Sequence, residues 1–144
     1  EFNELVRPPI PLPPKITAIT GITDEMLSTE KTFIEHYPRL CDFFFGTKMM
    51  VAHNLAFDAK MFHNELHRHS LENRFPWPYI WNCTVELSMP INNKRMRLGD
   101  LYKLATGRPL QNAHRARNDV VATIECYRWL FKNGFIEDVF SDKS

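Results

Sequence analysis

A chain of 144 residues is long enough to bury a useful core and fits one domain. Its 44% hydrophobic and 24% charged residues are ordinary for a globular protein and argue against disorder. A net charge of +1 rules out a strongly basic nucleic-acid glove but leaves room for a local basic groove. Cys41, Cys83 and Cys126 form no C-x-x-C pair, so neither a disulfide framework nor a zinc knuckle is expected. No apolar run nears the roughly 18 residues of a membrane span, and no signal-peptide pattern opens the chain. The expectation is a cytoplasmic protein with no membrane partner.

Residues 1–6 alternate enough to predict a strand. A strand that starts at Glu1 with no lead-in predicts a chain truncated or processed at its N-terminus. The run Arg7-Pro-Pro-Ile-Pro-Leu-Pro-Pro14 cannot be a central strand, because proline donates no ladder hydrogen bond. It reads as an extended connector pinned by Ile10 and Leu12, with a polyproline II ligand as the alternative. Thr20-Gly-Ile-Thr23 predicts a turn into a helix capped by Thr23, with Asp24 and Glu25 in its first turn.

Phe33, Tyr37, Leu40 and Phe44 recur at helical spacing up to Gly46, and Pro38 is expected to delay that helix to its own position. Met49-Met-Val-Ala-His53 predicts a strand buried on both faces. A helix follows from Ala56 to about His69, with Phe57, Met61 and Leu66 as its inward stripe. Tyr79–Thr84 reads as a strand, Arg97–Ala105 as a helix closed at Gly107, and Asn118 to about Lys132 as the last helix. His36, His63, His67 and His69 read as surface residues and the cysteines as core fillers. Strands alternating with helices predict an α/β architecture with at least part of the sheet parallel.

Two segments can carry chemistry. His53-Asn54-x-x-x-Asp58 sits at the carboxyl end of a predicted strand, where open α/β sheets place ligands. The helix dipole there favours an ionised Asp58, and Asn54 and Asp58 can equally serve as plain helix caps. His114-Arg-Ala-Arg-Asn-Asp119 places an imidazole and a carboxylate at a helix start. Histidine can take a proton near neutral pH, and a hard cation prefers carboxylate oxygens. Arg115 and Arg117 could steer a phosphate. Asn92-Asn-Lys-Arg-Met-Arg97 is either a basic track for a phosphate backbone or a solvated helix start. Phe75-Pro-Trp-Pro-Tyr79 offers rings for base stacking or for packing a turn.

Taken together, these segments resemble the DEDDh exonucleases, the DnaQ-like 3′–5′ exonucleases of RNase H-like fold. Thr20-Gly-Ile-Thr-Asp-Glu-Met-Leu27 is similar to the family's turn and helix. Val51-Ala-His-Asn-Leu-Ala-Phe-Asp58 is similar to its second motif, and His114–Asp119 to its third in the histidine form. Asn82-Cys-Thr84 and Leu98-x-x-Leu101-x-x-Leu104 resemble the intervening strand end and helix. The resemblance implies one exonuclease-like domain over 1–144, a mixed sheet flanked by helices. It implies Asp119 as a metal ligand, Asp58 as the acid holding metal or its waters, and His114 as general base. His53, Asn54, Arg115 and Arg117 would bind substrate. Implied cofactors are two Mg²⁺ or Mn²⁺ ions. Implied partners are 3′ ends of single-stranded DNA or RNA, and a polymerase or other replication or repair protein.

One departure stands against this. The family's first motif is an Asp-x-Glu on the opening strand, and no Asp-x-Glu occurs in these 144 residues. The expectation is therefore an RNase H-like fold lacking its first strands and impaired in catalysis. The alternative is a non-catalytic module of the same fold that binds nucleic acid or a partner.

Overall fold

The computed structural model describes residues 1–113 and 115–137. They form two compact units, one of residues 1–48 and 59–79, the other of residues 49–58 and the chain from Ile80 onward.

The first unit holds α1 (Pro14–Thr20), α2 (Asp24–Leu27), α3 (Phe33–Phe44) and most of α4 (Leu55–Arg68). Residues 1–6 form no strand. The backbone there makes a single parallel bridge, Arg7 to Thr32, and the prolines that follow supply no donors to extend it. Phe2 instead packs edge-on against the ring of His36 at 5.8 Å. The proline run is a connector only in part. Ile10 is 69% exposed and pins nothing. The Leu12 N–H holds the segment by donating to Asp24 Oδ1 at 2.9 Å. Pro14 then opens α1, where its missing N–H is one the first helical turn would leave unpaired in any case.

Thr23 caps α2 as expected, accepting from the Met26 N–H at 3.3 Å. Helix α3 starts at Phe33 rather than at Pro38. The Glu35 carboxylate accepts from both the N–H and the hydroxyl of Thr32 at 2.8 Å, which nucleates the helix ahead of the proline. Pro38 then sits inside at the cost of one ladder bond.

The core of this unit is Phe33, Leu40, Leu66 and Phe75. Phe62 and Trp77 meet Phe75 edge-on, each at 4.9 Å between ring centroids. His36 is 5% exposed and belongs to the interior, contrary to the surface expectation. It falls on the same face of α3 as Phe33 and Leu40. The expected stripe on α4 mixed two faces. Leu66 lies about 140° around the helix from Met61 but only about 40° from Phe62. Phe62 and Leu66 face the core, while Phe57 and Met61 are 60% and 57% exposed.

The second unit contains β1 (Met49–Ala52), the first turn of α4, β2 (Ile80–Cys83), α5 (Thr84–Asn92), α6 (Leu98–Thr106) and α7 (Ala116–Lys132). The two strands pair in parallel, with Met49 opposite Ile80 and Ala52 opposite Cys83. Residues of β1 are half-buried rather than enclosed on both faces. Helix α5 was not expected, and it changes the reading of Asn92–Arg97. That segment is the connection between α5 and α6, with Asn93 closing α5 in the left-handed region at φ 55°. Leu101, Cys126 and Leu130 are fully buried between α6 and α7. Burial pushes the Cys126 thiol up to about 12, so it is an inert core filler. Among the described residues, no helix is long and apolar enough to cross a membrane.

The reassigned face of α4 makes a direct comparison possible. Leu66→Ala should cost about 2–5 kcal/mol of unfolding free energy, and Met61→Ala about 0.5 kcal/mol or less. Urea denaturation of both variants checks this, and similar losses would contradict the assignment.

Candidate active site

The second unit contains a cleft of about 1140 Å³ at the carboxyl end of β1. Its position follows from one turn. After Ala52 the chain passes through His53 to Asn54, whose φ of 67° reverses the backbone so that α4 can begin at Leu55. The Asn54 carbonyl accepts the Phe57 N–H at 2.9 Å. Asp58 then falls in the first turn of α4, and Asp119 in the first turn of α7. His53, Asn54, Asp58 and Asp119 all line the cleft, together with Arg95 and Tyr127.

His53 holds the cleft's framework. Its Nδ1 lies 2.9 Å from Thr84 Oγ1 and its Nε2 lies 3.1 Å from the Met96 carbonyl oxygen. A carbonyl only accepts, so Nε2 carries the proton, and in the neutral ring Nδ1 accepts from the Thr84 hydroxyl. Burial lowers the His53 pKa below its ordinary value, and the Arg95 charge acts in the same direction. The Met96 bond and the Asp119 charge oppose this without reversing it. Both ring nitrogens are therefore engaged within the protein.

The Asn54 side chain reaches across to Arg95. Its Oδ1 accepts from Arg95 Nη2 at 3.2 Å. Beneath the cleft, Asn82 Nδ2 donates to the Tyr127 hydroxyl at 2.8 Å, fixing α7 to β2. The Thr123 hydroxyl donates to the Asp119 carbonyl at 2.7 Å, one turn back in α7.

Asp58 departs from the electrostatic expectation. The dipole of α4 should favour its ionised form, yet burial against the cleft walls raises its pKa above the ordinary carboxylate value. Asp58 as a whole remains exposed, so this burial is only partial. A carboxylate in that condition is a hard oxygen donor whose charge a cation would offset. Among the described residues, no three His, Cys, Asp or Glu side chains converge as a metal site.

Arg115 and Arg117 are exposed at the start of α7 and are not among the lining residues. His114 lies outside the described residues. Sequence reasoning missed Thr84, the Met96 carbonyl and Arg128 as parts of this site, and it placed Arg95 in a basic cluster read either as a phosphate track or as a solvated helix start. The basic cluster was a usable signal for Arg95. A backbone carbonyl such as that of Met96 has no sequence signature.

The RNase T family, described as exonuclease, matches residues 1–127. The chain belongs to the DnaQ-like 3′–5′ exonuclease family. It is 32% identical over 131 residues to a DNA polymerase III PolC-type of Clostridium perfringens, covering 91% of this chain and 9% of that protein. It is 33% identical over 140 residues to a DNA polymerase III PolC-type of Streptococcus thermophilus, covering 97% of this chain and 9% of the relative. The chain thus spans about a tenth of the length of these relatives. Among solved structures it is similar to Exonuclease X in complex with 5′ overhanging duplex DNA. That match has a TM-score of 0.58 at 22% identity, covering 90% of this chain and 72% of the other. The likeness supports an RNase H-like fold, to which the parallel pair β1–β2 and its flanking helices correspond.

The lowered pKa of His53 has a consequence for stability. Below its unfolded value of 6.5 the unfolded chain takes up a proton that the folded one resists. The contribution of neutral His53 is thus full above pH 6.5 and is lost as pH falls through 6.5 towards the lower folded value. Thermal melting midpoints measured across that range should fall more steeply for the wild type than for His53→Gln. Parallel curves would contradict a neutral, half-buried His53.

Proposed function

We propose that this chain carries the catalytic cleft of an exonuclease that removes nucleotides from the 3′ end of single-stranded DNA or RNA with two divalent metal ions. The observation that carries the reading is that Asp58 and Asp119 line one cleft in a chain of the exonuclease family. Both are carboxylates, the donors Mg²⁺ and Mn²⁺ prefer, and one or two carboxylates plus substrate phosphates are an ordinary Mg²⁺ set. Asp58 and Asp119 would hold the metal. When bound, it would polarise the phosphoryl group and lower the pKa of an attacking water. His114 would take the proton from that water. Two divalent ions carry +4, and these two carboxylates offset about half of that. The names of the PolC-type relatives support a polymerase as companion of the domain.

A second reading, a non-catalytic module that holds nucleic-acid ends or a partner, is favoured by the absence of any Asp-x-Glu from these 144 residues. Degradation of end-labelled single-stranded DNA and RNA, with Mg²⁺ and with chelator, separates the two. The exonuclease reading expects metal-dependent shortening, lost in Asp119→Asn and slowed at least about tenfold in His114→Ala. Wild-type rates in Asp119→Asn would remove it from the metal site, and binding without any shortening would favour the second reading.

The electrostatics of Asp58 give an independent check. Its raised pKa means that ionisation at neutral pH opposes folding, because stability falls as pH rises from 3.8 through the folded value. Asp58→Asn should therefore raise the melting temperature of the metal-free protein at neutral pH while reducing the stabilisation that added Mn²⁺ confers. A lower melting temperature without metal would contradict this.

A further inference from the structure

Residues 93–97 connect α5 to α6, and Arg95, Met96 and Arg97 of this loop line the cleft. The loop is gripped at two adjacent points by two adjacent residues of the turn between β1 and α4. His53 Nε2 donates to the Met96 carbonyl at 3.1 Å, and Arg95 Nη2 donates to Asn54 Oδ1 at 3.2 Å. Neighbours bonded to neighbours fix both the position of the loop and the heading of the arginine. At its start the loop is also fixed, because the Asn93 N–H bonds the Met89 carbonyl at 2.8 Å where α5 ends.

The choice of partner matters. Asn54 offers a neutral oxygen, so it orients the guanidinium without neutralising it. One hydrogen bond is spent out of the five donors that an arginine fork carries. Were the contact purely structural, an aspartate at this position would bind the arginine more strongly and quench its charge. What remains is an oriented, charged fork in the same cleft as Asp58 and Asp119. A planar fork of that kind matches the paired oxygens of a phosphate.

We propose that Arg95 seats a backbone phosphate of a nucleic-acid strand in this cleft, and that His53 is the positioning residue that holds its loop. The inference rests on the exonuclease reading above and adds to it the side chain that meets the strand.

Binding measured without turnover tests it. Fluorescence anisotropy of a labelled single-stranded oligothymidylate, titrated with the full chain in chelator at several salt concentrations, gives an affinity and a salt slope. Arg95→Ala should weaken binding about tenfold. It should also make the salt slope shallower by about 0.7, the increment for one phosphate contact on a single strand. His53→Ala should shift both quantities in the same direction. His53→Gln, which keeps a donor for the Met96 carbonyl and an acceptor for the Thr84 hydroxyl, should restore them. Circular dichroism identifies any variant that fails to fold, and Arg95, being exposed, can be replaced without touching the core. Wild-type affinity and slope in Arg95→Ala would overturn the inference alone, as would His53→Gln binding as poorly as a folded His53→Ala. A wild-type chain that does not bind the oligonucleotide would overturn the exonuclease reading and this inference with it.

Discussion

The cleft depends on one imidazole with both nitrogens committed. Through two hydrogen bonds His53 joins the end of β1, the first residue of α5 and the loop that leads into α6. The arrangement works with a neutral ring, which has one donor and one acceptor in fixed positions. A protonated ring could still donate to Met96, but its Nδ1–H would then face the Thr84 hydroxyl. That hydroxyl would have to turn its own proton towards the Ala52 carbonyl, 3.4 Å away. Thr84 is fully buried, so water cannot mediate the exchange. The depressed pKa of His53 and the geometry of its bonds express the same constraint.

Much of the framework around the site was legible in the sequence. The apolar run before His53, the glycine stops after α3 and α6, and the apolar period of α7 are strong local signals, and the structure places β1, α3, α4, α6 and α7 close to them. Helix α5 left no such signal. Its sequence Thr-Val-Glu-Leu-Ser-Met-Pro-Ile-Asn is apolar on most sides and carries an internal proline, so it shows neither an amphipathic stripe nor a clean boundary. Helix α1 was hidden for the opposite reason. Its opening proline looked like the end of a proline run, when it is also a favourable first helical residue.

The site was legible to the extent that chemistry is written in side chains. Asp58 and Asp119 stood out because each lies near a helix start in a segment resembling a family motif, and both line the same cleft. The hydrogen bonds of His53 could not be read, because its partners are a hydroxyl and a main-chain carbonyl supplied by elements distant in sequence. The electrostatic balance at Asp58 was likewise out of reach. A helix dipole can be inferred from position alone, whereas the opposing desolvation depends on walls that exist only in the folded chain.

Asn54 satisfies two demands that seldom coincide. Its backbone occupies the left-handed region, which glycine enters freely and most side chains resist. Its side chain must also present an uncharged oxygen to Arg95. Glycine would meet the first demand and leave the arginine without its guide. Glutamine or serine would offer an oxygen but strain the turn, and aspartate would tolerate the turn but cancel the positive charge. Very few residues can therefore stand between β1 and α4, and this position links backbone shape to the charge of the cleft more tightly than either acidic residue does.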